Sequence, residues 1–412
     1  MRLGIRLRSP RAAISLMFAL NGIVWGTWIA RIPGVANHLD VSKSQLGSVL
    51  PAFAIGALIA LPAAGWLVGK IGSARSFTIF GLLRTAFFPL LAFAPTPVLL
   101  AFVLFLFGLA HGVVDVSANS QGVEIERKTL TSMLSSVHGF CSLGGLIGAM
   151  TAGVIAETGL SLQLHFTLIA IPAFMLYAIA SRGLVRDEVR PASFAVRAAR
   201  KRRLQLSLPP RILWPLGFIA LCVAIGDESI ADWGGLYLKD ELQTTAAVAA
   251  LSYTVYSLTM LIGRLSGDLL VRKLGPVRVI AVGGAMSAIG LITGLLIGTA
   301  WSALIGFGLV GLGLSVILPI TYRAAGSTPG ISRGKAVASV ATVGYLGFLA
   351  GPPIIGTVAD AASLRGALLL VGLVTIALIP LSRSTARPDP RDDLLAEDDP
   401  YERTQLPAHQ TI

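Results

Sequence analysis

Residues 97 to 126 read PVLLAFVLFLFGLAHGVVDVSANSQGVEIE. No charge occurs from Val98 to Ala110, and then His111, Asp115 and Asn119 follow at four-residue intervals. At that spacing the three polar groups stack on one face of a helix. An apolar run of this length crosses most of the hydrocarbon of a bilayer, so the stretch is read as a membrane span at 97–122. A carboxylate at membrane depth is costly unless it faces protein or a water-filled space, which makes Asp115 a candidate functional group.

The rest of the chain agrees with that reading. Of 412 residues, 54% are hydrophobic and 13% charged, with a mean hydropathy of +0.76, whereas soluble globular chains carry about 25% charge. Uncharged runs long enough to span recur at about 11–34, 44–68, 76–95, 97–122, 131–156, 162–182, 211–238, 245–270, 277–298, 300–323, 335–359 and 364–382, each near the ~20 residues that a spanning helix needs. The expectation is an all-α membrane protein with twelve transmembrane helices. A β-barrel is excluded, because barrel strands alternate polar and apolar and these runs do not. The basic N-terminus MRLGIRLRSPR is followed by no small-residue cleavage site, so the first span is expected to be retained.

The net charge of +12 raises the question of nucleic acid, and its distribution answers it. With the N-terminus inside, 27 of the 33 Lys and Arg fall in inner segments; Arg31, Lys43, Lys239 and Arg365 fall outside, and Arg84 and Arg264 within spans. This bias sets the topology, with both termini cytoplasmic. The basic loop at 183–210, with ArgLysArgArg at 200–203, is a topology determinant drawn to anionic headgroups, and no nucleic-acid partner is expected. Cys141 and Cys222 sit in apolar runs without CxxC or Cys/His pairing, so neither a disulfide nor a metal site follows. No P-loop, HExxH or nucleophile elbow is present, so neither a cofactor nor an enzymatic activity is expected.

A shift of 203 superposes Val137, Leu143, Gly144, Gly148, Gly153 and Glu157 on Val340, Leu346, Gly347, Gly351, Gly356 and Asp360, and a shift of 205 brings Trp28 onto Trp233. The chain therefore divides into two six-helix pseudo-repeats, 1–182 and 211–382, joined by the linker 183–210 and followed by a polar tail, 383–412, read as disordered. Two such halves imply a substrate path between them, reached by rocking one against the other.

GlyTrpLeuValGlyLysIleGlySerAlaArg at 65–75 and GlyArgLeuSerGlyAspLeuLeuValArgLysLeuGly at 263–275 resemble the G-x-L-x-D-R-x-G-R-R loops of the major facilitator superfamily. Gly69 and Arg272 stand where that family has an acid, so the inner charge latch departs from the pattern in both halves; Arg264 and Asp268, four apart, are the candidate substitute. ArgIlePro at 31–33, the segment 115–126, HisGlyPheCysSerLeuGlyGly at 138–145, AspTrp at 232–233 and GlyTyrLeuGlyPheLeuAlaGlyProPro at 344–353 resemble a bacterial inner-membrane subfamily with no agreed substrate. The resemblance implies the major facilitator fold, a location in the bacterial inner membrane, and transport of a small molecule.

Within that frame, Asp115 is either a proton or substrate site or a polar clamp between helices, with His111 and Asn119 beside it. Glu228 and Asp232 share a face in helix 7; two carboxylates this close do not both ionise cheaply, so a shared proton or a cation such as Arg31 is expected. The alternatives there are a proton-coupled site and a closing salt bridge of the outer gate. Asn21 and Trp25 suit an amphipathic solute, and Trp28 is assigned to the membrane interface. Gln121 and Tyr345 complete the expected polar lining. His138 is either a titrating group or a hydrogen-bonded structural one. Gly144 and Gly148 read as a helix-contact stripe. Glu124 and Glu126 are expected to pair at the inner surface, and Arg84 either snorkels or pairs with an acid. The expected function is a proton-coupled secondary transporter, acting as a monomer. The rivals are a transport-inactive sensor or scaffold and a drug/proton antiporter, though Gly148, Ala149, Met150 lacks the proline that such antiporters carry in helix 5.

Overall fold

In hydrocarbon each backbone N–H and C=O must find a partner inside its own segment, and a helix does this without help. The computed structural model describes residues 9–129, 133–185, 210–331 and 333–386, and among them it holds helices and no strand. The linker around 200–203, the tail from 387, and the side chains of Ser135 and Asp268 lie outside the described residues.

Among the described residues twelve helices are long and apolar enough to cross a membrane: α1 (Pro10–Leu39), α2 (Lys43–Ile71), α3 (Ser73–Phe93), α4 (Pro97–Thr129), α5 (Ser136–Glu157), α6 (Leu162–Gly183), α7 (Arg211–Glu241), α8 (Ala246–Gly267), α9 (Pro276–Ile297), α10 (Ala300–Gly326), α11 (Ala336–Ala361) and α12 (Leu364–Thr385). The expected number stands, while several ends move outward, α4 reaching Thr129 instead of 122. In its last turns Glu124 pairs with Arg127 at 2.8 Å and Lys128 at 3.5 Å, the pairing expected of this acid. Twelve passes return Pro10 and Thr385 to one side.

Helices α1–α6 pack as one bundle and α7–α12 as the other. Phe102, Val154, Ile289 and Ile305 are each more than half exposed, as side chains facing lipid are. In the first bundle α1 lies along α5, with Gly144 and Gly148 so close to the Ala19 and Ile23 carbonyls that a Cβ would strike them. Without a hydrophobic drive between helices in lipid, such backbone approach is what holds a pair together.

The halves meet through two related crossings, α2 with α11 and α5 with α8. A Cβ on Gly47 would strike the Pro352 carbonyl, one on Gly356 the Lys43 carbonyl, and one on Gly153 the Ala250 side chain. At the same end, Asp360 accepts from the N–H groups of Lys43 and Ser44, and Glu157 from that of Ala247. Adding 203 to Ser44, Gly47, Gly153 and Glu157 gives Ala247, Ala250, Gly356 and Asp360, so the repeat seen in sequence is also a repeat of contacts. Together these contacts join the two halves at the end of the molecule opposite the termini.

Helix α7 is irregular where it reaches the centre. It is α-helical from Trp214 to Glu228 and widens into π turns at Ser229–Trp233 and Tyr237–Glu241. Single π turns of this kind are frequent at functional positions. The first begins beside Glu228 and contains Asp232.

Candidate functional site

Between the two bundles lies a cavity of about 360 Å³, within the size range of small-molecule sites. The first half contributes Asn21, Trp25 and Trp28 from α1, Phe53 from α2, Arg84 from α3 and His111 and Asp115 from α4. The second half faces them with Glu228 and Asp232 from α7 and Tyr345, Phe348 and Pro352 from α11. A second space of about 240 Å³ shares Trp25, Cys141, Glu228 and Phe348 with the first and extends towards Asp227, Tyr253, Tyr256 and Arg264.

Asp115 sits on the exposed wall of this cavity. The Asn119 side-chain amide donates to the Asp115 carboxylate at 3.2 Å and to its backbone carbonyl at 2.9 Å. On its other side Asn119 Oδ1 lies 3.0 Å from His138 Nε2. The stacking of Asp115 and Asn119 read from the sequence is thus extended by a histidine from α5. His111, the third member of that stack, goes elsewhere. It lies against the rings of Trp25 and Phe53, with centroids 6.2 and 5.1 Å away, and its Nδ1 has no hydrogen-bond partner.

On the opposite wall, the Glu228 and Asp232 side chains are within hydrogen-bonding reach of each other. Asp227, one residue earlier, points away and accepts from the Tyr256 hydroxyl. The expected partnership of this group with Arg31 is not found: among the described residues no ion pair joins Arg31 to Glu228 or Asp232, and the buried Arg31 Nε has no hydrogen-bond partner. Arg31 is one turn beyond Trp28, past the cavity rim, which explains why shared helix direction does not bring it to the acids.

Two further expectations change. Gln121 does not line the cavity. Its side chain is fully buried, accepting from the Ser73 hydroxyl at 2.8 Å and donating to the Val185 carbonyl at 3.1 Å. It stands six residues after Asp115, which turns it to the far side of a 3.6-residue helix. Trp28, assigned to the membrane interface, is 2% exposed and faces the cavity instead. Arg264 borders the space beside Asp227 and Tyr256, while the side chain of its expected partner Asp268 lies outside the described residues.

Arg84 does neither of the things expected of it. It is 2% exposed, its two terminal nitrogens donate to the Asn21 side-chain oxygen at 2.6 Å and the Asn21 carbonyl at 3.2 Å, and its guanidinium lies 5.0 Å from the centre of the Phe107 ring. Phe53 and Phe348 carry no signal in sequence, since an aromatic residue in an apolar span looks the same whether it faces lipid or a cavity.

The family model of the Major Facilitator Superfamily matches residues 14–233 and 216–406. The chain is 33% identical to "Uncharacterized transporter y4wD" of Sinorhizobium fredii, over 89% of this chain and 96% of that protein. It is 30% identical to an "Uncharacterized MFS-type transporter" of Yersinia pestis, over 92% and 96%. Among solved structures, the nucleoside transporter NupG superposes with a TM-score of 0.71 at 13% identity, covering 92% of this chain and 99% of that one, which shows a shared fold. A match over nearly the whole chain by family model, sequence and fold, on a twelve-helix frame with a central cavity, makes this protein a membrane solute transporter that belongs to the major facilitator superfamily.

Proposed function

We propose that the chain is a secondary active transporter of the bacterial inner membrane that moves a small solute by alternating access, coupled to protons. The observation that carries this reading is the central cavity with carboxylates on both walls, Asp115 on one and Glu228 with Asp232 on the other. Intramembrane acids face protein or water because lipid rejects them, and here they face a space between the two bundles. A hydrogen bond between two carboxyl groups needs one proton between them, so Glu228 and Asp232 form a natural proton store.

The same reading takes the present shape as the state closed at the end away from the termini. Asp115 and Tyr345 are exposed on the cavity wall, while the α2–α11 and α5–α8 crossings join the halves at the end away from the termini. Transport requires these crossings to part and the terminal side to close in turn. Coupling arises because solute binds more tightly in one protonation state of the acids than in the other, and that difference is the only source of uphill movement.

The test is flux in proteoliposomes holding the full chain, with an imposed pH gradient and a pH-sensitive dye inside. Sugars, nucleosides, amino acids, carboxylates and organic cations would be screened for uptake. Proton movement that starts on addition of one solute class, and uptake that collapses with a protonophore, support the reading. Solute equilibration indifferent to the gradient would remove proton coupling, and the absence of flux for every class would favour a sensor of the same fold.

A further inference from the structure

We propose that Arg84 is the anchor for a negatively charged solute, and that the protein's substrates are small organic acids with a flat apolar body. This rests on the transport reading above and names the substrate class of the same cavity.

The argument starts from charge. A guanidinium remains protonated in proteins, and holding one inside a membrane bundle is costly unless it is paired or faces water. Arg84 is buried, yet among the described residues no carboxylate forms an ion pair with it. The acids of the bundle are engaged elsewhere: Asp115 with Asn119, Glu228 with Asp232, and Asp227 with Tyr256. Arg84 donates to Asn21 and lies over the Phe107 ring, and among the described residues its Nε has no hydrogen-bond partner. If the arginine served only to knit helices together, an acid at position 21 would do so far better than the asparagine found there.

Position completes the argument, because Arg84 and Asn21 both border the central cavity. Asn21 turns its oxygen to the guanidinium. The guanidinium thus brings donors and positive charge to the cavity wall, the complement of a carboxylate. Beside them stand Trp25, Trp28, Phe53 and Phe348, which give an apolar wall to the body of the solute. The acids Glu228 and Asp232 lie across the cavity, so an anion seated at Arg84 is best accepted when that pair holds its proton. Entry of an acid together with a proton follows from the arrangement of the two walls.

The experiment uses purified full-length protein in nanodiscs, with binding read from quenching of tryptophan fluorescence and from calorimetry. The probes are benzoate and hexanoate as acids, benzamide as the neutral isostere of benzoate, and benzylamine as the cation. Saturable binding of an acid, weaker by at least about tenfold for benzamide and benzylamine, is expected. Arg84→Gln should lose that binding and Arg84→Lys should keep part of it. Asn21→Asp places a counter-ion against Arg84, so acid binding should disappear while the thermal midpoint rises. Equal binding of amide or amine, acid binding that survives Arg84→Gln, or no saturable binding of either acid would overturn the assignment. Gradient-driven flux of a neutral or cationic solute would remove the substrate class and leave the transporter, whereas acid binding without flux would do the reverse.

Discussion

The Asp360 carboxylate accepts a hydrogen bond from the backbone N–H of Ser44 at 2.8 Å, joining the end of α11 to the start of α2 across the two halves. Its counterpart in the repeat, Glu157, accepts from Ala247 at 2.7 Å and joins α5 to α8. In each case a carboxylate from one half meets unpaired N–H groups and the positive end of a helix in the other. Ser42 and Thr245 cap the same two helices from within, so the acids add a link between halves to helices that already have their own caps.

The first prediction follows from that doubling. Replacing Asp360 and Glu157 together by Ala should shift the protein towards conformations open at this end, and each single replacement should shift it less. Spin labels on the outer ends of α2 and α11, with Cys141 and Cys222 replaced, would report the change as a longer, broader distance distribution. A distribution unaltered in the double variant would mean that the glycine crossings alone hold this end shut.

Those crossings make a separate prediction. Gly47 faces the Pro352 carbonyl with no room for a side chain, and Gly153 faces Ala250 in the same way. Gly47→Leu should disfavour the closed arrangement by about 1–3 kcal/mol, the usual cost of overpacking, without unfolding either bundle. In proteoliposomes the variant should bind solute but return to the state seen here less often, so turnover should fall by about 5- to 150-fold. Turnover at the parent's rate would refute the close-contact account.

Much of the fold is legible in the sequence because a membrane leaves few alternatives. Span length, the basic bias and the 203-residue shift all follow from strong physical constraints. Side-chain facing is less legible. Asp115 and Asn119 declare a shared face through their spacing, and the structure keeps them together. Polarity alone groups Gln121 with them, although six residues carry it round to the opposite side. Arg84 stands out in sequence as anomalous without an explanation, because its partner Asn21 lies 63 positions upstream in a different helix. Helix direction pairs Arg31 with α7, whereas depth within the span, which decides the matter, leaves no mark in the sequence.

Gln121 therefore supports a prediction of stability without function. Gln121→Ala removes the buried hydrogen bond from Ser73 and the part-buried one to Val185. A loss of about 1–3 kcal/mol is expected, seen as a lower thermal midpoint in detergent. The apparent affinity for solute and the dependence on the pH gradient should stay as in the parent. A selective loss of coupling in a well-folded variant would return Gln121 to the transport path.

Asp115 makes the opposite prediction. Asp115→Asn keeps the size of the side chain and a contact to Asn119 while removing the charge, so insertion and stability should change little. Uphill accumulation should vanish, and exchange of solute across the membrane without net proton movement should remain. Asn119 bridges His138 and Asp115 by hydrogen bonds, so Asn119→Ala should weaken coupling partly where Asp115→Asn abolishes it. Unchanged accumulation in Asp115→Asn would remove this residue from the mechanism.

The Glu228 and Asp232 pair distinguishes a proton store from a structural bridge. Glu228→Gln or Asp232→Asn alone leaves one carboxyl next to an amide, which can hydrogen-bond without any shared proton. If the pair only braces the π turn of α7, either single variant should behave like the parent, because the bond survives. If it carries the coupled proton, both single variants should bind solute with an affinity that no longer varies with pH, and both should lose gradient-driven uptake while keeping solute exchange. Binding isotherms at two pH values, set beside flux with and without a gradient, separate the outcomes. Retained pH dependence in both single variants would place the coupling proton elsewhere in the cavity, with Asp115 the remaining carboxylate on its wall.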